Sequence, residues 1–354
     1  MSGITAQAGE NTSEDVVAAT STAQTAGQSN IAEANPSAGE DSDSALGEWT
    51  SSSTVSISDT IRNYRELHGR TYHNFGNTEY WGPNDDAANE QLDIGHHMNN
   101  LILDNKLFLA PIGKTPQRVL DVGTGTGIWA IDFADEFPSA EVIGTDISPI
   151  QPSWVPPNLR FYIDDAQLEW TFPENHFDLV HMRTMIGSID DWPLLYKRAF
   201  KSIKPGGYFE DSETDIRIRS DNGSVPPGSP MYDWGELFIG AGEKMGRTFL
   251  VAERAKKLLE EAGFVDVVEH TVKVPIGSWP QDDRMKELGR WNLLFLTTGL
   301  ESMGMYLLMH ILGWEYAAVQ AYLEKMRTAL LSKDHQAYVN ISTFYARKPE
   351  DIPA

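Results

Sequence analysis

The run Val119-Leu120-Asp121-Val122, followed by Gly123-Thr124-Gly125-Thr126-Gly127, constrains this chain more than any other feature. An apolar run, an acid, then glycines at every second position read as strand, tight turn and helix start. Glycine lets backbone approach a ligand closely, and a helix start offers it unpaired N–H groups. The acid stands two residues before the first glycine. A dinucleotide fingerprint has no such requirement, and it spaces its third glycine one residue further on. A nicotinamide oxidoreductase is therefore disfavoured.

Two further strands end in acids. Glu141 to Ile147 reads as the next strand and ends at Asp146. That lies about 20 residues beyond the turn, where a βαβ unit places a carboxylate on ribose hydroxyls. Leu159 to Ile163 reads as a third strand, and Asp164-Asp165-Ala166 follow it, positioned to meet an adenine ring. Asp121, at the carboxyl end of the first strand, suits a cationic amino group. S-adenosylmethionine joins these parts: adenine, ribose, an ammonium and a sulfonium. Asp121, Gly123, Thr124, Gly125 and Gly127 are expected to hold its methionine end. Asp146, with Ile147 in the same set, is expected at the ribose. Asp165 and the backbone near Ala166 are expected at the adenine amino group, with Asp164 as the competing choice.

The chain resembles the class I S-adenosylmethionine-dependent methyltransferases and, more narrowly, the fungal LaeA-like family. The likeness is carried by the Gly123–Trp129 turn, the run Asp146-Ile147-Ser148-Pro149-Ile150-Gln151-Pro152-Ser153-Trp154-Val155-Pro156-Pro157-Asn158, and Ile163-Asp164-Asp165. It continues in Phe177-Asp178-Leu179-Val180-His181-Met182-Arg183, Asp191-Trp192, Lys204-Pro205-Gly206-Gly207 and Pro275-Ile276-Gly277-Ser278-Trp279-Pro280. It runs from about Tyr64 to Lys348. The chain departs from the family at Gly95, where a glutamine is usual. The resemblance implies a seven-stranded sheet whose last two strands make an antiparallel edge. It also implies a role in secondary metabolism, either as a tailoring enzyme or as a nuclear regulator associated with velvet-type proteins.

The 354 residues allow one large domain, or one domain and a tail, and 41% hydrophobic residues allow a sizeable core. A net charge of -23 disfavours direct binding to nucleic acid and suits a basic partner. With no cysteine, disulfides, thiol nucleophiles and zinc–thiolate sites are excluded. No apolar run reaches the ~20 residues that cross a membrane. The start lacks the basic and apolar regions of a secretory signal, so the expected compartment is cytoplasm or nucleus.

Met1 to about Ser58 is acidic, rich in Ser, Thr and Ala, and free of Lys and Arg. It reads as a disordered tail, either a plain solvated one or a phosphorylatable docking segment. Residues 59–354 form the expected methyltransferase domain, with 59–110 as an N-terminal helical cap. There Asp59 caps a short helix through Leu67, and Tyr72, Tyr80 and Trp81 close the site or pack on the core. Ala87 to Leu109 reads as a helix stopped by Pro111. It carries His96 and His97, which point about 100° apart and so cannot share one metal; no metal site is expected.

Strands alternating with helices then predict a doubly wound, mostly parallel, Rossmann-like α/β sheet. Strands are expected at Phe177–Met182, Tyr208–Ser212, Phe264–Val274 and Ala337–Ala346. A helix capped by Asp191 precedes the second of these, and a helix ending at Gly263 precedes the third. Residues 276–333 read as a helical insertion before the last strand, rich in Trp, Met and Phe. It must cover something: a substrate pocket as a lid, a partner, or the sheet as a packing layer.

Methyl transfer from a sulfonium is an in-line displacement, so the protein mainly positions and excludes water. A base is needed only where the acceptor must lose a proton. His181 and Glu213 are the candidates, with Asp215 beside them, whereas Glu210 and Asp211 read as structural or solvated. The acceptor is a small molecule or a protein. A non-catalytic interaction protein that keeps a cofactor-shaped fold is the alternative from another class.

Overall fold

The computed structural model of the chain describes residues 59–350, so the acidic stretch before residue 59 lies outside the described residues. The first surprise comes early. The helix α1 spans only Asp59–Arg62. The chain then forms a hairpin of β1 (Arg65–Leu67) and β2 (Arg70–Tyr72). His68 and Gly69 both take positive φ, 51° and 74°, and join the strands as the two-residue turn a hairpin favours. Gly69 therefore serves a hairpin, not the end of a helix running to Leu67, and the N-terminal cap is not wholly helical.

The helix α2 (Asp86–Ile102) starts where Asp85 accepts the amide of Ala88. Asp85 also accepts two guanidinium bonds from Arg70, which gives a third to Ser302. The expected extension to Leu109 does not form. Asp104 and Asn105 adopt left-handed conformations at φ 57° and 60°, which ends the helix well before Pro111.

The core follows in order. β3 (Arg118–Val122), α3 (Ile128–Glu136), β4 (Glu141–Asp146), β5 (Leu159–Ile163) and β6 (Phe177–Arg183) come first. Next come α4 (Trp192–Ser202), β7 (Ile203–Thr214) and the short β8 (Arg219–Ser220). α5 (Pro230–Met245), unforeseen in the sequence, is capped by Ser229 and ended by left-handed Gly246. A 3-10 turn, α6 (Ala255–Ala262) and β9 (Val265–Pro275) follow. The stretch between β9 and the last strand holds α7 (Asp283–Tyr306), a π-helical turn at Leu307–Ile311 and α8 (Tyr316–Leu331). β10 (Ala337–Arg347) ends the described fold.

The large sheet runs β5-β4-β3-β6-β7-β10, and the first five of these strands are parallel. β10 lies antiparallel to β7 and carries β9 on its other side. The seven-stranded, mostly parallel sheet read from the sequence is present, and β8 adds one short pairing to β10. β7 starts at Ile203 and continues to Thr214, so the Lys204–Gly207 turn and Glu213 both belong to the strand. Chain order reverses beside β3, which has β4 on one side and β6 on the other. Open α/β sheets bind ligands at such a point, beyond the carboxyl ends of the strands.

α7 packs on α2 through glycines. A Cβ at Gly299 would lie 1.7 Å from the amide nitrogen of Gln91, and one at Gly95 would lie 3.1 Å from the Phe295 ring. Gly95 thus makes room for a side chain of the insertion. No helix among the described residues is long and apolar enough to cross a membrane.

Candidate functional site

One cavity opens at the carboxyl ends of β5, β4, β3 and β6. Gly123, Thr124, Gly125, Asp146, Ile147, Asp164, Asp165 and Ala166 line it together. These eight of the expected cofactor residues converge although they come from three strand ends.

Local rules explain the cradle. Gly127 caps α3 in the left-handed region at φ 83°, and a Cβ there would stand 2.3 Å from the Phe161 ring. Gly125 sits at φ 59°, and its N–H donates to Asp146 Oδ2 at 2.8 Å. Asp146 Oδ1 accepts the N–H of Ser148 at 2.9 Å. Burial pushes the Asp146 carboxyl up to about 6, against the pull of those two amides. Gln151 donates to the carbonyls of Gly125 and Ser148 at 2.6 and 3.0 Å, tying the turn to the loop after β4. The sequence marks Gln151 only as part of the family motif.

At the far end of the cradle, Asp165 accepts from Thr78 and, at 2.9 Å, from the amide of Gln167. Asp164 uses one oxygen on the Asp165 amide, at 2.9 Å. Its other oxygen has no protein partner among the described residues, and burial raises its pKa. Asp164 is therefore the freer of the two acids. Thr78 belongs to a strap before α2. Arg247 anchors that strap by donating to the carbonyl of Glu79, and Tyr80 and Trp81 line the cavity beneath it. Tyr72 turns away and packs on Tyr306.

Four expected site residues do not line the cavity: Gly127, the cap of α3, and Asp121, His181 and Glu213, which lie behind its wall. Asp121 is 3% exposed, with Thr124 Oγ1 donating to one oxygen at 2.6 Å and His181 Nδ1 to the other at 2.7 Å. β3 and β6 hold these two residues opposite each other in register. His181 stacks on the Trp129 indole, 3.7 Å between ring centres and 3° from parallel. Burial lowers its pKa, despite the Asp121 carboxylate. His181 is 3% exposed and does not line the cavity.

Glu213, the other expected base, is fully buried. It accepts the amides of Met185 and Ile186 at 2.7 and 3.1 Å, fixing the loop after β6. Burial and the neighbouring Asp211 carboxyl push its pKa well up. Asp211 in turn accepts the Tyr196 hydroxyl at 2.7 Å. Glu210 accepts the amides of Leu109 and Ala110 at 2.8 and 2.6 Å. Asp215 is occupied by Arg217 and Arg219, each 2.7 Å away. All four acids are buried and hydrogen-bonded within the fold, and the solvated alternative for Glu210 and Asp211 does not hold.

Beyond the cradle the cavity turns apolar. Trp81, Ile218, Trp234, Phe238, Phe249 and Met303 line this half, contributed by the strap, the segment after β7, α5, the segment after α5 and α7. Arg183 and His96 line the cavity near the glycine turn, while His97 packs on Trp291. No group of histidines and acids among the described residues has the arrangement of a metal site. The cradle fits S-adenosylmethionine: a turn of left-handed glycines at the methionine end, a carboxylate for ribose and a free acid oxygen for adenine.

A methyltransferase-domain family model matches residues 94–270. The chain is 38% identical over 301 residues to a protein of Aspergillus terreus named methyltransferase pytC, covering 85% of this chain and 93% of that one. It is 38% identical over 294 residues to the secondary metabolism regulator LAE1 of Cochliobolus heterostrophus, covering 81% and 95%. Among solved structures it is similar to Haemonchus contortus phosphoethanolamine N-methyltransferase 2 in complex with S-adenosyl-L-methionine. There the TM-score is 0.42 at 21% identity, over 74% of this chain and 53% of that one. With that identity and coverage in its fungal relatives, the chain belongs to the LaeA-like family of class I S-adenosylmethionine-dependent methyltransferases.

Proposed function

We propose that this methyltransferase acts in fungal secondary metabolism on a small, largely apolar acceptor held in the apolar half of the cavity. The observation that carries this is continuity. One cavity runs from the glycine turn to the chamber of Trp234, Phe238, Phe249 and Met303. A few polar groups at one end and an aromatic enclosure at the other are the usual make-up of a small-molecule site.

The bound cofactor supplies a methyl group already activated on a sulfonium. The chain's own residues bind, orient and exclude water. Asp146 is placed to accept the ribose hydroxyls, and Asp164 with the backbone at Ala166 to meet the adenine amino group. Gly123, Thr124 and Gly125 flank the methionine end. Asp121, held by His181, fixes Thr124 and so supports the turn from behind. The strap closed by Thr78 and Tyr80 keeps water from the reacting atoms, and the chamber walls aim the acceptor's nucleophile. Holding two reactants in line contributes much of the rate in such a displacement.

A second reading has a regulator working through a velvet-type protein partner. It is supported by the relatives named as secondary metabolism regulators.

The test uses the full chain with a labelled methyl donor, offered small-molecule and protein extracts of a fungal host. Label is expected in a small molecule. Gly125→Glu, which fills the cradle, is expected to abolish both cofactor binding and transfer. Met303→Trp, which fills the chamber, is expected to keep binding and lose transfer. Label in a protein, unaffected by Met303→Trp, would refute the small-molecule acceptor.

A further inference from the structure

The cavity contains a single Lys or Arg side chain among its lining residues, Arg183, at the end of β6. Asp146, Asp164 and Asp165 line the same cavity, at the ends of β4 and β5. Yet no carboxylate among the described residues pairs with it. Its one hydrogen bond runs from Nη2 to His96 Nδ1, at 3.0 Å. Arginine has five N–H donors and no acceptor, so most of its fork is unspent.

The neighbours fix where that fork points. Arginine can only donate, so His96 Nδ1 must be the bare nitrogen, and its proton sits on Nε2. Nε2 then donates to Asp132 Oδ2 at 2.9 Å. The Asn100 side-chain amide lies 3.0 Å from the same nitrogen. His96 is 4% exposed, so this relay is built into the wall. It joins α3, α2 and β6, and such supports orient a charged group much as they orient metal ligands. Burial holds the guanidinium below its usual pKa, against the pull of the Asp121, Asp132 and Asp93 carboxylates, none of which forms an ion pair with it.

Strand order says which end of the cofactor comes here. Strand ends stand β5, β4, β3, β6 in a row, about 5 Å apart. They carry, in turn, the adenine acids, the ribose acid, the glycine turn and Arg183. A ligand laid across them with adenine at β5 reaches β6 with its amino-acid end. That end bears a carboxylate, and Asp121 offers it nothing.

We propose that Arg183 seats the α-carboxylate of the cofactor's methionine end, with His96 and Asp132 as positioning residues. This rests on the S-adenosylmethionine reading of the cavity.

Calorimetry on the full chain tests it with S-adenosylmethionine and its decarboxylated form, which lacks only the carboxylate. The wild type is expected to prefer the intact cofactor by roughly 30-fold or more, as for a desolvated charge pair. Arg183→Met is expected to bind both forms alike, near the wild type's affinity for the decarboxylated one. Arg183→Lys is expected to restore part of the preference. Asp132→Ala is expected to shrink the preference while leaving decarboxylated binding unchanged, which a merely structural role would not do. Thermal unfolding without ligand checks that the variants fold. A preference that survives in Arg183→Met overturns the proposal, as does equal loss of both ligands by a folded variant. Failure of the wild type to bind either ligand overturns the cofactor reading itself, and the seat with it.

Discussion

Asp146 makes cofactor affinity a function of pH, and the size of the effect can be worked out. Its carboxyl is pushed up to about 6 by burial. Ribose hydroxyls donate best to a carboxylate, because a charged acceptor makes a hydrogen bond about twice as strong. Binding therefore favours the ionised form, and protonation must be reversed first. At pH 7 roughly nine-tenths of such a carboxyl is ionised, and at pH 5 roughly one-tenth. The affinity for S-adenosylhomocysteine should then hold steady above pH 7 and fall about tenfold from pH 7 to pH 5. Calorimetric titration at several pH values reads this directly. Asp146→Asn should bind more weakly at pH 7 and lose the slope, since it has no proton to release there. A flat wild-type profile, or the same slope in Asp146→Asn, would refute the assignment of ribose recognition to this carboxylate.

His181→Ala removes the partner of a buried acid and the ring stacked on Trp129. It should lower stability by about 3 kcal/mol in urea unfolding, with no new inflection in the pH–rate profile. Glu210, buried and pushed up to about 7, holds its proton more tightly folded than unfolded. Its contribution to stability is therefore greatest at low pH and is lost as pH rises through about 7. Glu210→Gln should accordingly gain on the wild type between pH 5 and pH 8, read as the difference in urea midpoints. Gly95→Gln meets the Phe295 ring and should cost about 1–3 kcal/mol by wedging α2 from α7. Thermal unfolding of that variant should recover in the double variant Gly95→Gln, Phe295→Ala.

The sheet was legible because its strands obey local rules. Each parallel strand is a short apolar run ended by an acid or a turn, and the glycine turn needs no partner to be recognised. The Asp191 cap and the Gly263 stop were readable for the same reason. The hairpin at Arg65–Tyr72 was not. A glycine after an apolar run signals both a helix end and a turn, and only strand pairing decides between them. α5 escaped because Gly235, Gly240 and Gly242 dilute its helical signal. Two of the three earn their place by contact, Gly235 against Arg217 and Gly242 against the carbonyl of Arg247. The site divides similarly. Acids at strand ends could be placed from spacing. That Asp121 faces His181, and that Glu213 grips the amides of Met185 and Ile186, depends on strand order and side-chain direction. Arg183 ends the run Phe177–Arg183, but its lack of a carboxylate ion pair becomes visible only with neighbours in place.

The two halves of the cavity come from different stretches of chain. The cradle is written mostly between residues 123 and 166, within one continuous run of strands. The chamber draws on the strap, the segment after β7, α5, the segment after α5 and α7. Such a division separates two kinds of evolutionary tinkering. A lineage can exchange bulky for slender side chains around Trp234, Phe238 or Met303 and so change its acceptor, while the methyl donor's berth is inherited untouched. The constraint on that drift is the glycine seam where α7 lies on α2, since a bulky residue there would disturb both halves together.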